Sequence, residues 1–588
     1  MRTSITLFVT AAIAMVLSAA VPAMAQDSAP SAGEAKSAMA GVRLVYVSAN
    51  FMRDPQVDEA IANVKKAAAA GYNGVLVTDC KFARWNEKVT VDQPKYIENV
   101  KKFCAACREL KLQIISSCLD QGADLLSNDP NLAEGMPVID APFVARDGQL
   151  VPADEDFKIA NPTFEQARRE NQPDGWNVDE PGKAGFIDKD VKCDGKPSIR
   201  YQDIKANVSY SNGRLIQGPI KCKPFRYYHA TVKVKTEDFE KPGTFNFTVS
   251  GKQGLAHQMF DIKPTQDWKQ YDMIFNTLDS TEVNFYVGSW GGTKGKIWIG
   301  GLKVEPGGFV NVIRRDGLTF KITSEDGKTV FEEGKDYSKV ADPKLGNDKW
   351  PGDYDYWHEA PKVTLPAGSR IKDGQKVLAS YSHSMNVYGW GIFACMNEPK
   401  VMRIATDNLA MIHKVIQPDG YMLPYDELRH QGFDESCQKA GKPMSKVLAD
   451  NCRACIAAIR KEDPGKAIYA WNDMFDPYHN AGKTGAAYYL VKGIDPWNGS
   501  WEGLDKDVII MNWMSDPAKR KESLKFFADR GHKQILCGYY DAPPENILPW
   551  MKDATAVKGV IGVMYTTWAN DYSKLEAFSK VVREFKAD

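Results

Sequence analysis

The sequence predicts an α/β protein: a (β/α)8 barrel of parallel strands, interrupted after its third strand by a jelly-roll β-sandwich and a small β-rich subdomain. Three observations carry this reading. Strand and helix patterns alternate at both ends of the chain, and the alternation stops between about residues 130 and 375, where Gly, Pro and short period-two strands take over. Eight strand patterns lie outside that interruption. Without the interruption roughly 300 residues remain, within the usual range for such a TIM-type barrel.

The chain begins with Arg2, an apolar run over 5–20 and the small-residue site Ala23-Met24-Ala25. This is the pattern of a secretory signal peptide, 1–25, cleaved before Gln26. No Cys stands at the cleavage point, so no lipid anchor is indicated, and no later run is long enough to span a bilayer. The expected location is secreted or periplasmic. Residues 26–40, rich in Ala, Ser and Pro, read as a linker. With 75 basic and 75 acidic residues the net charge is zero, which asks for neither nucleic acid nor an anionic membrane surface as partner.

The first part of the barrel is assigned to 41–130. Residues 43–48 (RLVYVS) form a strand; a helix follows with Asp54 as N-cap, Pro55 at its first position and Gly71 as terminator. Strand 74–79 (GVLVTD), a helix from Pro94 and strand 112–118 (LQIISSC) complete three units. The inserted sandwich is assigned to 131–306, its antiparallel strands concentrated between 185 and 306. There Tyr228, Ala230, Val232 and Val234 alternate with His229, Thr231, Lys233 and Lys235, predicting one buried and one wet face. A β-rich subdomain, 307–375, carries an aromatic and acidic loop at 350–358 (WPGDYDYWH), which either hangs over the barrel or packs on the sandwich.

The α/β rhythm returns over 376–588. Asn397-Glu398-Pro399 reads as a helix start, a cap followed by Pro in the first turn. A strand that starts near Gly420 and ends in Asp426-Glu427, and strands at 467–471, 508–513, 534–540 and 560–568, complete the eight. Of eleven cysteines, Cys104, Cys107, Cys452 and Cys455 fall on apolar helix faces, where Cys packs as a small hydrophobe. Cys193 and Cys222 flank a β-rich stretch and are the expected disulfide.

In a barrel of this kind the C-terminal strand ends face the site. Those ends carry Asp79, Cys118 with Asp120, Asp426-Glu427, Trp471-Asn472-Asp473, Asn512-Trp513, Tyr539-Tyr540-Asp541, and Tyr565 with Trp568, Asn570 and Asp571. Aromatic platforms beside carboxylates and amides suit a sugar, whose C–H faces stack on rings while its hydroxyls need polar partners. The adjacent acids in GYMLPYDELRH repel, so one keeps its proton near neutrality, as a general acid must; an exposed capping turn is the alternative. The eight His include no metal-spaced pair, and no nucleophile elbow, phosphate loop or dinucleotide fingerprint occurs. No metal and no cofactor is expected.

Two stretches, PTQDWKQYDMIF and GKIWIGGLKVEPGG, resemble jelly-roll carbohydrate-binding modules of the kind attached to glycosidases. The acid pair after the fourth strand, followed by AWNDMF at the fifth and Tyr- and Trp-bearing ends at the seventh and eighth, resembles the β-N-acetylhexosaminidases of glycoside hydrolase family 20. That resemblance implies an exported hydrolase of β-linked glycans with Glu427 as general acid/base and Asp426 orienting a 2-acetamido group that attacks the anomeric carbon. It further implies Tyr539 or Tyr540 on the acetamido oxygen, Trp471, Trp513 and Trp568 as pocket walls, and Arg43 on ring hydroxyls. The pattern departs from the family in having Leu423-Pro424-Tyr425 before the acid pair, no α/β domain ahead of the barrel, and a sandwich within it. A two-carboxylate mechanism, with Glu502, Asp473 or Asp541 as second acid, stays open, as do a noncatalytic glycan-binding protein and a structural cell-surface protein. An oligo- or polysaccharide is the expected partner; no feature specifies an oligomeric state.

Overall fold

The computed structural model describes residues 41–85, 93–153, 157–204, 212–291, 294–347, 352–388, 391–482 and 489–586. The signal peptide and linker read from 1–40 lie outside the described residues, as do Trp350 and Pro351 of the aromatic loop.

Eight parallel strands close into a ring: Val42–Ser48, Gly74–Thr78, Gln113–Ser117, Gly420–Leu423, Ala467–Trp471, Ile509–Asn512, Gln534–Leu536 and Val560–Tyr565. The first strand pairs in parallel with the second and with the eighth, Leu44 opposite Gly74 and Met564, which leaves no free edge. Strand alternation divides the side chains into two cores. Leu44, Leu76, Ile115, Met422, Met511, Ile535 and Met564 fill the ring, while Val45, Val75, Ile114, Tyr421 and Val563 face the surrounding helices. Each such buried side chain contributes roughly 1.5–3 kcal/mol.

The helices follow the strands: Asp54–Ala69, Gln93–Glu109, Pro399–Ile416, Met444–Glu462, Arg520–Asp529, Leu548–Ala554 and Leu575–Glu584. Between the fifth and sixth strands stands the short turn Ser500–Gly503. In the helix Asp54–Ala69, Val57, Ala60, Val64 and Ala67 recur at helical spacing and are buried. Asp54 is its first residue rather than its N-cap, because its carboxylate turns outward to Lys95 and Asn99 of the next helix. Glu398 does cap its helix, accepting from the Lys400 amide, with Pro399 next. Among the described residues no helix is long and apolar enough to cross a membrane.

The insertion is two bodies. The first is a sheet in the order Val330–Phe331, Lys321–Ser324, Lys376–His383, Met136–Arg146, Gln149–Pro152, Val363–Thr364. Residues 136–152, grouped by the sequence with the sandwich, thus belong to this sheet: Met136–Arg146 runs antiparallel to Lys376–His383, Met136 opposite His383. Alternation revealed the strand, but its partner lies more than two hundred residues away. The second body is a sandwich of two five-stranded sheets, with Lys296–Pro306 central in one and Glu282–Trp290 in the other. Ala230, Val232, Val234, Phe247, Phe285 and Ile299 are fully buried between them.

The face expected to be wet is partly covered. The Trp357 ring lies flat on His229, 3.6 Å between centroids and 3° between planes, and the imidazole bridges Asp272 and Glu305. Tyr356 meets Phe260 edge-on, so the aromatic loop packs on the sandwich. No disulfide joins Cys193 to Cys222, which overturns the expected pairing. Cys193 ends a strand of one sheet and Cys222 follows a strand of the other, where its thiol faces the Ser280 carbonyl. Cys104, Cys107, Cys452 and Cys455 are buried on their helix faces as expected.

Candidate functional site

The fourth strand delivers its acids by alternation. After Leu423, the Tyr425 side chain turns outward into the helix layer, donating to Asn451 Oδ1 at 2.5 Å and lying edge-on to Phe475. The following side chain, Asp426, therefore turns toward the barrel axis. There it lines a cavity of about 90 Å³ with Tyr46, Ser117, Met422, Trp471 and Trp568. Glu427 has φ +50°, a left-handed conformation that costs a non-glycine residue about 1 kcal/mol or more. Its amide is held by Asp473 Oδ2 at 2.9 Å, which fixes this turn over the end of the fifth strand.

The two neighbours sit in opposite electrostatic environments. The Asp426 residue is half-buried, yet protein surrounds its carboxyl; burial, then the nearby Asp473, push its pKa well above the usual carboxylate range. Glu427 instead pairs with Arg429 at 2.7 Å. That guanidinium stacks over Tyr388 and Tyr489, 4.2 and 5.2 Å from their centroids, so its position is set on two faces. Asp473 is fully buried and accepts from the Glu427 amide, Asn480 Nδ2 and Trp513 Nε1, and burial raises its pKa to about 7. One face of the barrel thus holds an enclosed carboxyl whose proton is favoured beside a second acid paired with a guanidinium, two different environments for neighbouring carboxyls.

Of the residues expected from sequence, Asp426, Glu427, Trp471, Asp473, Trp513, Tyr540 and Trp568 gather here. Trp568 is 54% exposed, edge-on to Tyr46 and tilted against Trp471. The Tyr540 hydroxyl donates to the Trp513 carbonyl. Asp541 holds the Trp568 loop in place, accepting from the amides of Trp568 and Ala569.

The others are not brought to the site. Arg43 lies at the N-terminal end of the first strand, away from the face where the strands finish, and its Nε donates to the Gly71 carbonyl. Asp79 is buried and occupied: it accepts from the amides of Phe51 and Lys81 and from Tyr96, and pairs with Lys81 Nζ. Asn512 is buried and donates to Ser523 and Gln534 while accepting from the Met514 amide. Tyr539 and Tyr565 stack on each other 4.3 Å apart and pack on Phe578 of the last helix, on the outer side of the ring. Asp571 closes a turn, accepting from the Ser573 amide and, through its carbonyl, from Tyr565.

Sequence reasoning missed Tyr46, Arg429 and His479. Tyr46 shares its strand face with Leu44 and was legible from alternation alone. Arg429 stands two residues after the acid it neutralises. His479 packs on Trp513, 4.3 Å between centroids, and carried no motif.

No family model and no curated protein matches the chain. Among solved structures, parts of it are similar to a Family 16 Carbohydrate Binding Module-2 at 16% identity, covering 22% of this chain and 91% of that one with a TM-score of 0.19. A CBM22-1 xylan-binding domain from Paenibacillus barcinonensis is similar at 12% identity, covering 26% and 97%, TM-score 0.19. An adhesin domain of Lys-gingipain from Porphyromonas gingivalis is similar at 11%, covering 24% and 97%, TM-score 0.19. Likenesses at these scores do not bear on what this chain binds or does.

Proposed function

We propose that the chain is an exported glycoside hydrolase, secreted or periplasmic, acting on β-linked glycans at the mouth of a (β/α)8 barrel. The observation that carries this reading is the juxtaposition of Asp426, whose carboxyl is enclosed by protein and pushed toward its protonated form, with Glu427 paired to Arg429 at 2.7 Å, beside the rings of Tyr46, Trp471 and Trp568. In the reaction, Asp426 protonates the departing glycosidic oxygen as the bond to the anomeric carbon breaks. Water adds to the anomeric carbon in place of the departing group, and Glu427 takes the proton that this water releases. These roles depart from those implied by the hexosaminidase resemblance, because burial favours the protonated form of Asp426. N-acetylated glycans remain the first substrates to try.

Purified protein should release aglycone from at least one member of a panel of β-linked aryl glycosides, with and without a 2-acetamido group. Binding without release across the whole panel would refute hydrolysis. It would favour the second reading, a noncatalytic glycan-binding protein, for which the small size of the axial cavity speaks: about 90 Å³, below the roughly 300 Å³ of ordinary ligand pockets. Under either reading Trp568 is a stacking platform. Trp568→Ala should leave the melting temperature nearly unchanged and weaken glycan binding about tenfold in calorimetry, the value of one stacking contact.

A further inference from the structure

We propose that Glu134, Cys395, Asp434 and Cys437 form a structural binding site for a divalent cation of the zinc class, at the point where the insertion leaves and rejoins the barrel. The four side chains come from three segments: the outbound chain before Met136–Arg146, the inbound chain before Pro399–Ile416, and the loop after the Asp426–Glu427 turn. All four are buried, and one potential ligand atom from each lies within 4.8 Å of the others.

The geometry suits a metal better than a crosslink. Cys395 and Cys437 sulfurs stand 3.6 Å apart. Two thiolates on a tetrahedral zinc, each at about 2.3 Å, stand roughly 3.8 Å apart; a disulfide needs about 2.05 Å. The carboxylates are also aimed. Glu134 Oε1 accepts from the amides of Gly432, Phe433 and Asp434, which turns Oε2 toward Cys437 Sγ at 3.4 Å. Asp434 Oδ2 accepts from the Gly135 amide and Arg315, while its Oδ1 accepts from the Cys437 amide alone; Asp434 Oδ1 and Glu134 Oε2 thus each keep a second lone pair to offer. Asn397 Nδ2 donates to Cys437 Sγ at 3.1 Å, the outer-shell contact that a thiolate ligand requires.

Charge points the same way. Glu134 and Asp434 are fully buried, and Arg315 is the cation that contacts them, through Asp434. Buried anions need compensation by cations or protons, and two thiolates in the same space need a dication. Bound there, the ion would clamp the stem of the insertion to the loop that carries Glu427 and Arg429. The site does not depend on the glycosidase reading.

The test is made on the full chain, purified without chelator. About one equivalent of zinc per chain is expected, and Cys395 and Cys437 should resist thiol reagents until a chelator removes it. Cobalt added to the stripped protein should give the thiolate charge-transfer band in the near ultraviolet. Glu134→Gln and Cys437→Ser should each lower retained zinc at least about tenfold. Peptide mapping that finds Cys395 joined to Cys437 would overturn the proposal, and so would reduced wild-type protein that takes up neither zinc nor cobalt.

Discussion

Asp426→Asn is expected to lower kcat by about 10²- to 10⁴-fold, the range a positioned general acid contributes. The fold should not suffer. Burial, then Asp473, push the Asp426 pKa well above the usual carboxylate range, so a neutral side chain of the same shape costs little there. Above neutrality the variant should melt at the same temperature as the wild type or higher, since Asn cannot be forced to ionise. The measurement is kcat and KM on whichever aryl glycoside is cleaved, together with a thermal melt. A variant with wild-type kcat would remove Asp426 from the chemistry, and a rise in KM alone would make it a binding residue.

The second large effect is on stability against pH. The Asp473 carboxyl, ordinarily near 3.8, is pushed up to about 7 by burial. The unfolded chain releases this proton near the ordinary value, so between about pH 4 and 7 the folded state holds a proton that the unfolded state lacks. Stability contributed by the group is therefore present at low pH and lost as pH rises through about 7. Asp124, also raised to about 7 by burial, tilts the curve in the same direction. In Asp473→Asn the slope should be shallower by up to about 1.4 kcal/mol per pH unit inside that window, as read from denaturant unfolding at a series of pH values. The variant also loses the bond from Trp513, about 1 kcal/mol at every pH, so the slope and not the midpoint decides. An unchanged slope would mean that Asp473 is ionised in the folded protein.

The barrel was legible because its strands are short apolar runs at regular intervals between helical patterns, and hydrophobic periodicity is local information. The gathering of Asp426, Trp471, Asp473, Trp513 and Trp568 followed from one rule, that parallel strands finish on one face. What failed was whatever depends on direction or on a distant partner. Arg43 sits at the wrong end of a correctly placed strand. Tyr565 alternates outward where Met564 alternates inward, a one-residue difference that composition cannot reveal. Asp79 and Asn512 occupy strand ends but are consumed by local hydrogen bonds. The pairing of Glu427 turns on Arg429, whose ring-stacked position comes from Tyr388 and Tyr489 in separate segments. The Glu134, Cys395, Asp434 and Cys437 cluster escaped notice because its members span three hundred positions, and short ligand spacings were what the sequence could be searched for.

The stem of the insertion also bears on how such a chain is assembled. Ala133 bridges Ala394 and the Glu134 amide donates to the Phe393 carbonyl, so the two cut ends of the excursion are already neighbours. To the barrel, some two hundred and fifty residues amount to a tight loop, and their length adds little entropy to closing the ring. A gene trimmed between these positions and rejoined by a short turn should still encode a ring-forming polypeptide. The lobe is nevertheless not inert cargo: Ile313, Leu345 and Tyr354 pack into the ring's outer core and Tyr388 backs Arg429, so a trimmed chain would need new side chains at those places.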